Sequence, residues 1–226
     1  MRFQDAARDA RAVVYAGIQA DPEVARTATL LAEATPVQRL LARAVMNGET
    51  VDPDGWRTMF PMLFGPAASG DASDLARSEA ILEASVAVAD RGEQVRSQVR
   101  GALIEELTAQ LLGRRVGPDA VRRERRILFD GMPAEIHPYD VTVERDGKAE
   151  AYDCKWGARG INADVLHQLD DARTHALDED ERLAVALVVF DAQRSCDVRL
   201  DRQTAPHDGT TLVSLETLDA LAGPRA

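Results

Sequence analysis

The sequence predicts an α/β domain that follows an all-helical module. Helix start and stop signals recur in the first part of the chain, whereas the pattern beyond Val121 alternates as strands do. Between them, Gly65 to Gly70 is rich in Pro, Gly, Ala and Ser, a composition typical of a linker. We therefore predict a helical module over residues 1–72, for oligomerisation or partner binding, and a mixed sheet flanked by helices over residues 73–226.

Composition limits the class of protein. The chain has 226 residues, of which 45% are hydrophobic and 29% are charged, as expected for a packed globular protein. No apolar run is long enough to span a bilayer, and the first residues lack the apolar stretch of a secretory signal. The two cysteines, Cys154 and Cys196, are not at metal-binding spacing. We expect a cytoplasmic protein with reduced thiols and no membrane association.

Capping residues followed by proline predict two helix starts in the N-terminal module. Asp21 precedes Pro22 and Thr35 precedes Pro36, and proline is favoured at the first helical position. Asn47-Gly48 predicts a helix end. Everything before about Pro61 is therefore expected to be helical.

Two longer helices open the predicted α/β domain. The first is expected over about 74–90 behind a Ser73 cap, and the second over about 93–112, ending at Gly113. Glu105 and Glu106 lie in the second helix, and the positions four residues further on hold no opposite charge. On this pattern alone they read as two solvated acids.

A β-hairpin is the sharpest local prediction. Strands at Tyr139 to Arg145 and Lys148 to Trp156 flank Asp146-Gly147, a strong signal for a two-residue turn. Such a turn places Arg145 opposite Lys148, Val141 opposite Tyr152 and Asp140 opposite Asp153. A one-residue change in turn length would break this pairing.

Because side chains alternate along a strand, the predicted hairpin has two different faces. The polar face carries Asp140, Thr142, Asp153 and Lys155. The apolar face carries Tyr139, Val141, Val143, Tyr152, Cys154 and Trp156.

The polar face indicates a metal site. Asp140 and Asp153 are like charges opposite each other, which destabilises a sheet unless a cation lies between them. Two carboxylates plus waters suit Mg²⁺, and Mn²⁺ is expected to substitute. The alternative is a solvated face that happens to hold two acids. Lys155 favours the metal site, because only two of the 27 basic residues are lysine and an ammonium is a compact charge whose pKa can move.

The remaining pattern supplies a helix and further strands. A helix is expected over about 162–172, where Gln168 lies, followed by a buried strand over about 183–190. The alternation at Val198 and Leu200 indicates a sheet edge. A short strand over 210–215 and a terminal helix over 216–222 complete the chain.

The ordered set of motifs resembles the PD-(D/E)xK nucleases, the restriction-endonuclease-like superfamily, in its Mrr-like branch. Gly101 to Leu112, with Gly101-x-x-x-Glu105, resembles the first helix, Asp140 matches the strand aspartate, and Asp153-Cys154-Lys155 matches (D/E)-x-K. The order helix, three strands, helix, strand is similar to the superfamily core over about residues 92–200. One departure is Tyr139, which separates Pro138 from Asp140 where proline often comes directly before the aspartate.

The resemblance implies a role for each matched residue. Asp140 and Asp153 would hold one or two Mg²⁺ ions, with Glu105 completing the site directly or through water, and Glu106 is the alternative to Glu105. Lys155 would orient or deprotonate the attacking water, or stabilise charge on the phosphate. Gln168 would position a neighbouring group. The implied activity is Mg²⁺-dependent endonucleolytic hydrolysis, in a restriction or defence system, and the alternative is a noncatalytic DNA-binding or assembly subunit with the same fold.

The net charge of the chain bears on how it could bind nucleic acid. The resemblance favours DNA over RNA, but a net charge of −11 gives poor long-range attraction to nucleic acid. Six arginines between Arg114 and Arg126 form the only strongly basic stretch, and they read either as a solvated strand and loop or as phosphate contacts. We expect them near the active face, with the N-terminal helices forming a homo-oligomer or docking a partner protein.

Overall fold

The computed structural model describes residues 1–6, 10–66, 71–132, 137–145 and 147–223. Part of the predicted linker, residues 67–70, and the predicted turn residue Asp146 lie outside these ranges. The chain divides into two compact units. One, here called the sheet unit, consists of Met1–Arg11 and Thr108–Ala226, and the other, the helical unit, consists of Ala12–Leu107. The predicted boundary was at residue 72, whereas this division falls inside a long helix.

Helices make up most of the described chain up to residue 116. They are α1 (Ala10–Gln19), α2 (Pro22–Ala32), α3 (Pro36–Asn47), α4 (Pro53–Met59), α5 (Pro61–Phe64), α6 (Ala72–Ala89) and α7 (Glu93–Val116). In the helical unit, α6 packs against α2 and α3. The apolar faces of these helices are buried, as at Leu31, Leu41 and Ile81.

The predicted helix starts are confirmed where a local cap decides them. The Asp21 carboxylate accepts a hydrogen bond from the Glu23 N–H at the start of α2. Thr35 and Gln38 exchange hydrogen bonds at the start of α3 in a reciprocal capping box.

Two helix boundaries differ from the prediction. α6 begins at Ala72 behind an Asp71 cap, rather than at residue 74 behind Ser73. α7 continues past Gly113 to Val116, and the chain leaves the helix at Gly117, whose φ is +88°. Gly113 keeps helical geometry because an interior glycine only weakens a helix, whereas Gly117 adopts the left-handed conformation that ends one.

The sheet unit is built on six strands in the order in which they occur along the chain. They are β1 (Arg2–Asp5), β2 (Val121–Leu128), β3 (Tyr139–Arg145), β4 (Lys148–Lys155), β5 (Leu183–Val189) and β6 (Thr210–Val213). Neighbours from β1 to β4 are antiparallel, and β4, β5 and β6 are parallel to one another. Helix α8 (Ala163–Asp178) connects β4 to β5, and α9 (Gln193–Leu200) connects β5 to β6. The predicted α/β class, with a mixed sheet flanked by helices, is confirmed.

Two segments have a different secondary structure from the prediction. The first residues were expected to be helical, but Arg2–Asp5 pairs with β2 as an edge strand. Val198 and Leu200 were expected at a sheet edge, but both lie in α9. In each case the local pattern is four residues or fewer, so a distant partner rather than the local period determines the structure.

The core of the sheet unit lies between α8 and one face of the sheet. Leu166, Leu169 and Ala172 of α8 pack against Val185 and Leu187 of β5. Among the described residues, no helix combines the length and apolar character needed to cross a membrane.

Candidate functional site

The β3–β4 hairpin brings the predicted acids and lysine to one side of the sheet. Arg145 pairs with Lys148 and Val141 pairs with Tyr152, so the predicted register is confirmed over these residues. The same register continued by one residue places Asp140 across from Asp153. Asp140, Asp153 and Lys155 line one cavity.

Asp140 is fixed by the backbone of the neighbouring strand. Its Oδ2 accepts a hydrogen bond of 2.6 Å from the backbone N–H of Cys154. The Cys154 side chain is buried, and its Sγ lies 3.5 Å from Thr108 Oγ1 in α7. Cys154 is therefore a core residue, as predicted, while its amide fixes the Asp140 carboxylate.

Asp153 and Lys155 form an ion pair at the cavity wall. The side chain of Asp153 is 9% exposed and that of Lys155 is 27% exposed. Burial raises the pKa of Asp153, and the neighbouring ammonium opposes that shift. Burial also acts to lower the pKa of Lys155, but the charges of Asp153 and Asp140 outweigh it and leave the pKa raised.

The cavity has a volume of about 720 Å³. One wall is the face of α8 that carries Asp164, His167, Gln168, Asp171 and His175. Phe129, His137 and Pro138 line it from the sheet and the segment before β3. The described lining therefore contains four acidic side chains, one lysine and three histidines.

Gln168 contacts backbone rather than the acids. Its Nε2 donates a 3.0 Å hydrogen bond to the carbonyl of His137. The Tyr139 hydroxyl donates a 3.2 Å hydrogen bond to the carbonyl of Gln168. These two bonds connect α8 to the start of β3, directly before Asp140.

Tyr139 does not lie on the face of the hairpin that was predicted for it. It was expected opposite Asp140, but it packs in the core that includes Leu166 and Leu169 of α8. On β2, Glu124 lies between the residues that pair with Tyr139 and Val141, and its φ is +50°. A residue with positive φ interrupts the regular pleat, so strict alternation fails at this end of the hairpin.

Glu105 lies in the helical unit and has partners there. It is buried, and its two carboxylate oxygens accept hydrogen bonds from Tyr15 Oη at 2.6 Å and from Gln19 Nε2 at 2.9 Å. Glu106 is half-buried. The predicted reading of two solvated acids is therefore wrong for Glu105, because α1 supplies two donors that are far away in sequence.

The donor set of the hairpin suits an ion that takes few protein ligands. Within the described ranges, no three His, Cys, Asp or Glu side chains are arranged to hold a metal ion. Asp140 and Asp153 are two carboxylates at one cavity, and Mg²⁺ is commonly bound by one or two carboxylates with waters and substrate oxygens. A cation there would also favour the ionised form of Asp153, which burial disfavours.

The six arginines of the basic stretch are not at the cavity. None of them is among its described lining residues, against the expectation that they lie near the active face. Arg115 pairs with Glu150, and Arg125 pairs with Asp5 and Glu144. These two arginines therefore pair with acids on β1, β3 and β4. The order of residues in the sequence does not predict those pairs.

Sequence reasoning missed several residues of the cavity. His167, Asp171 and His175 follow one another at intervals of four residues, which places them on one face of α8. That spacing is a signal the sequence contained. Gly160, which lies against Lys155, and Asp191, which accepts a hydrogen bond from Ala158, are not lining residues and gave no such signal.

Comparisons with known proteins define the fold. No family model and no curated protein matches the chain. The solved structure of protein VC1899 from Vibrio cholerae is similar over 98% of this chain, with 16% sequence identity and a TM-score of 0.50. This chain spans 56% of the length of that one. At this identity the likeness shows the fold alone: the chain is an α/β protein with a mixed six-stranded sheet.

Proposed function

We propose that the β3–β4 hairpin is the active site of a metal-dependent nuclease that hydrolyses phosphodiester bonds in DNA. The observation that carries this proposal is the meeting of Asp140, Asp153 and Lys155, from two adjacent strands, at one cavity. Two carboxylates and one ammonium are the groups that this hydrolysis needs. The succession α7, β2, β3, β4, α8, β5 also agrees with a restriction-endonuclease-like core.

Each side chain has a defined task in this proposal. Asp140 and Asp153 would hold the Mg²⁺ ion, and the Cys154 amide orients Asp140 for that purpose. A bound divalent ion polarises the scissile phosphate and lowers the pKa of water. Lys155 orients the attacking water or stabilises negative charge that develops on the phosphate. Its ion pair with Asp153 holds it at the metal-binding carboxylates.

Glu105 and Gln168 have supporting tasks in the proposal. The resemblance assigns Glu105 to the metal, directly or through water, and within the helical unit Tyr15 and Gln19 orient its carboxylate. Gln168 positions the segment before Asp140 through the His137 carbonyl. Glu105→Ala is expected to lower cleavage more than Glu106→Ala, and the reverse order would assign the task to Glu106.

A cleavage assay with a matched lysine control tests the proposal. Purified protein is incubated with plasmid, linear duplex and single-stranded DNA in Mg²⁺, Mn²⁺ or EDTA. We expect cleavage with either metal, none in EDTA, and a rate lower by roughly 10³-fold in Lys155→Ala. Lys148→Ala is the control, because Lys148 is the only other lysine and lies exposed on the same hairpin. Full activity of folded Lys155→Ala would contradict the assignment, and DNA binding without cleavage would favour a noncatalytic subunit.

A further inference from the structure

Gly160 lies directly against the side chain of Lys155. A methyl group on its Cα would lie 2.8 Å from Cβ and Cγ of Lys155 and 2.9 Å from Cδ, closer than packed carbon atoms approach. These atoms form the base of the side chain, so the lysine could not rotate only its tip to make room. The φ of Gly160 is outside the left-handed region. Glycine is therefore required at this position because any side chain would collide with Lys155, and not because of the backbone conformation.

A buried carboxylate fixes the turn that contains Gly160. The turn is a short 3-10 helix, Ala158–Gly160, that follows β4. Asp191, after the end of β5, is 6% exposed. Its Oδ2 accepts a 3.0 Å hydrogen bond from the Ala158 N–H, and its Oδ1 accepts one of 2.8 Å from the Ala192 N–H. Asp191 thus connects the turn to the first residues before α9.

The turn is also connected to α8, and Lys155 is connected to the residue that follows β5. Asn162 Nδ2 donates a 3.2 Å hydrogen bond to the Gly160 carbonyl, and Asn162 Oδ1 caps α8 by accepting from the Val165 N–H at 3.1 Å. The Phe190 N–H donates a 2.8 Å hydrogen bond to the carbonyl of Lys155. The lysine is therefore held at its backbone by β5 and along its side chain by the turn.

We propose that Gly160 and Asp191 are positioning residues that hold the Lys155 ammonium against Asp153 at the cavity. Neither residue is among the described lining residues of the cavity, so both would act through Lys155. The consequence for catalysis rests on the proposed nuclease function, whereas the position of Lys155 can be measured without it.

The test uses Gly160→Ala with Gly113→Ala as its matched control. Both variants add one methyl group in the sheet unit, but at Gly113 the nearest atom is 3.7 Å away, an ordinary contact. The readout is the NMR spectrum of the lysine side chains. The chain has two lysines, so exposed Lys148 serves as an internal reference for Lys155. In the wild type, we expect an ammonium signal protected from solvent exchange and a rigid Cε for Lys155 alone.

In Gly160→Ala, the Lys155 ammonium signal is expected to disappear through exchange and its Cε to become as mobile as that of Lys148. Gly113→Ala should leave both lysines unchanged. Asp191→Ala should have the same effect as Gly160→Ala, and Asp191→Asn, which keeps one acceptor oxygen, should restore part of the rigidity. Lys155 signals that stay as in the wild type in folded Gly160→Ala would overturn the proposal. If that variant does not fold, Asp191→Ala decides by the same criterion.

The cleavage assay separates this inference from the proposed function. If the wild type cleaves DNA, Gly160→Ala should lower kcat by roughly 10²-fold, the usual cost of misplacing a reacting group by about 1 Å, with little change in KM. A wild type without activity would end the nuclease proposal, and the lysine spectra would still decide whether the turn positions Lys155.

Discussion

The two faces of the β3–β4 hairpin carry polar clusters that differ in their numbers of acidic and basic groups. On the face toward α7, Arg115 makes a bidentate contact with Glu150, and both contact the hydroxyl of Tyr152. On the other face, Asp140 and Asp153 share one ammonium, that of Lys155. The first cluster, here the α7-face cluster, is balanced. The second, here the cavity cluster, has two carboxylates and one ammonium beside a cavity.

This difference distinguishes a structural cluster from a candidate site. In the α7-face cluster each ionic group has its partner inside the protein, so burial is compensated. The cavity cluster combines two carboxylates with one ammonium at the cavity where the proposed cation would bind. Four predictions test whether the two clusters differ in this way.

The largest expected effect is on cleavage. Asp153→Asn and Lys155→Ala should each lower the rate of DNA cleavage by roughly 10³-fold, because each removes a group that acts on the reacting phosphate. The double variant should be no worse than either single one, since the groups act as a unit. Glu150→Gln, on the opposite face of the same strand, should cleave nearly as the wild type does. A comparable loss of cleavage rate in Glu150→Gln would show that the two clusters do not differ in function.

The next effect is stabilisation by the metal ion. Mg²⁺ at about 100 times its dissociation constant should raise the free energy of unfolding by about 2.7 kcal/mol, because only the folded protein brings both carboxylates together. Urea denaturation with and without Mg²⁺ measures this independently of cleavage. Glu150→Gln should respond as the wild type does, and a double Asp140→Asn, Asp153→Asn variant should not respond. A response that survives in the double variant would place the ion elsewhere.

A smaller difference between the two clusters is expected in the free energy of unfolding measured without metal. Glu150→Gln should lower the free energy of unfolding by about 1 kcal/mol, a modest value because the Arg115 and Glu150 side chains are 31% and 22% exposed. Asp140→Asn keeps an oxygen that can accept the Cys154 N–H and removes one of two like charges. It should leave stability unchanged or higher. The opposite ranking in urea denaturation would show that the cavity cluster is the structural one.

The smallest effect appears only at alkaline pH. Burial raises the pKa of Tyr152, and its hydrogen bond to Glu150 raises it further. Above about pH 10, the unfolded chain loses the phenol proton while the folded protein retains it. The unfolded state then binds fewer protons, so the free energy of unfolding falls as pH rises through this range. Tyr152→Phe should show a shallower decline between about pH 9 and pH 11, and equal slopes would contradict the assigned cause.

Local sequence was sufficient for much of the fold. Asp21 and Thr35 predicted their helix starts because a cap depends on residues within one turn of the helix. The β3–β4 register was predicted because a short turn and alternating polarity fix which residues face each other. The predictions failed where a partner distant in sequence determines the structure, as at β1, which is a strand only through its pairing with β2.

For the candidate site, the sequence by itself determined the chemical groups and their order: two aspartates and a lysine on a hairpin, with a basic stretch before them and a glutamine after them. Tertiary structure alone decided what those groups contact. It gave Glu105 the donors Tyr15 and Gln19, turned Gln168 toward the His137 carbonyl, and brought Gly160 against Lys155. The physical reason is how far apart along the chain the interacting residues are. Strand register and helix caps are set by neighbours a few residues away, whereas these contacts join segments whose separation only the packed core fixes.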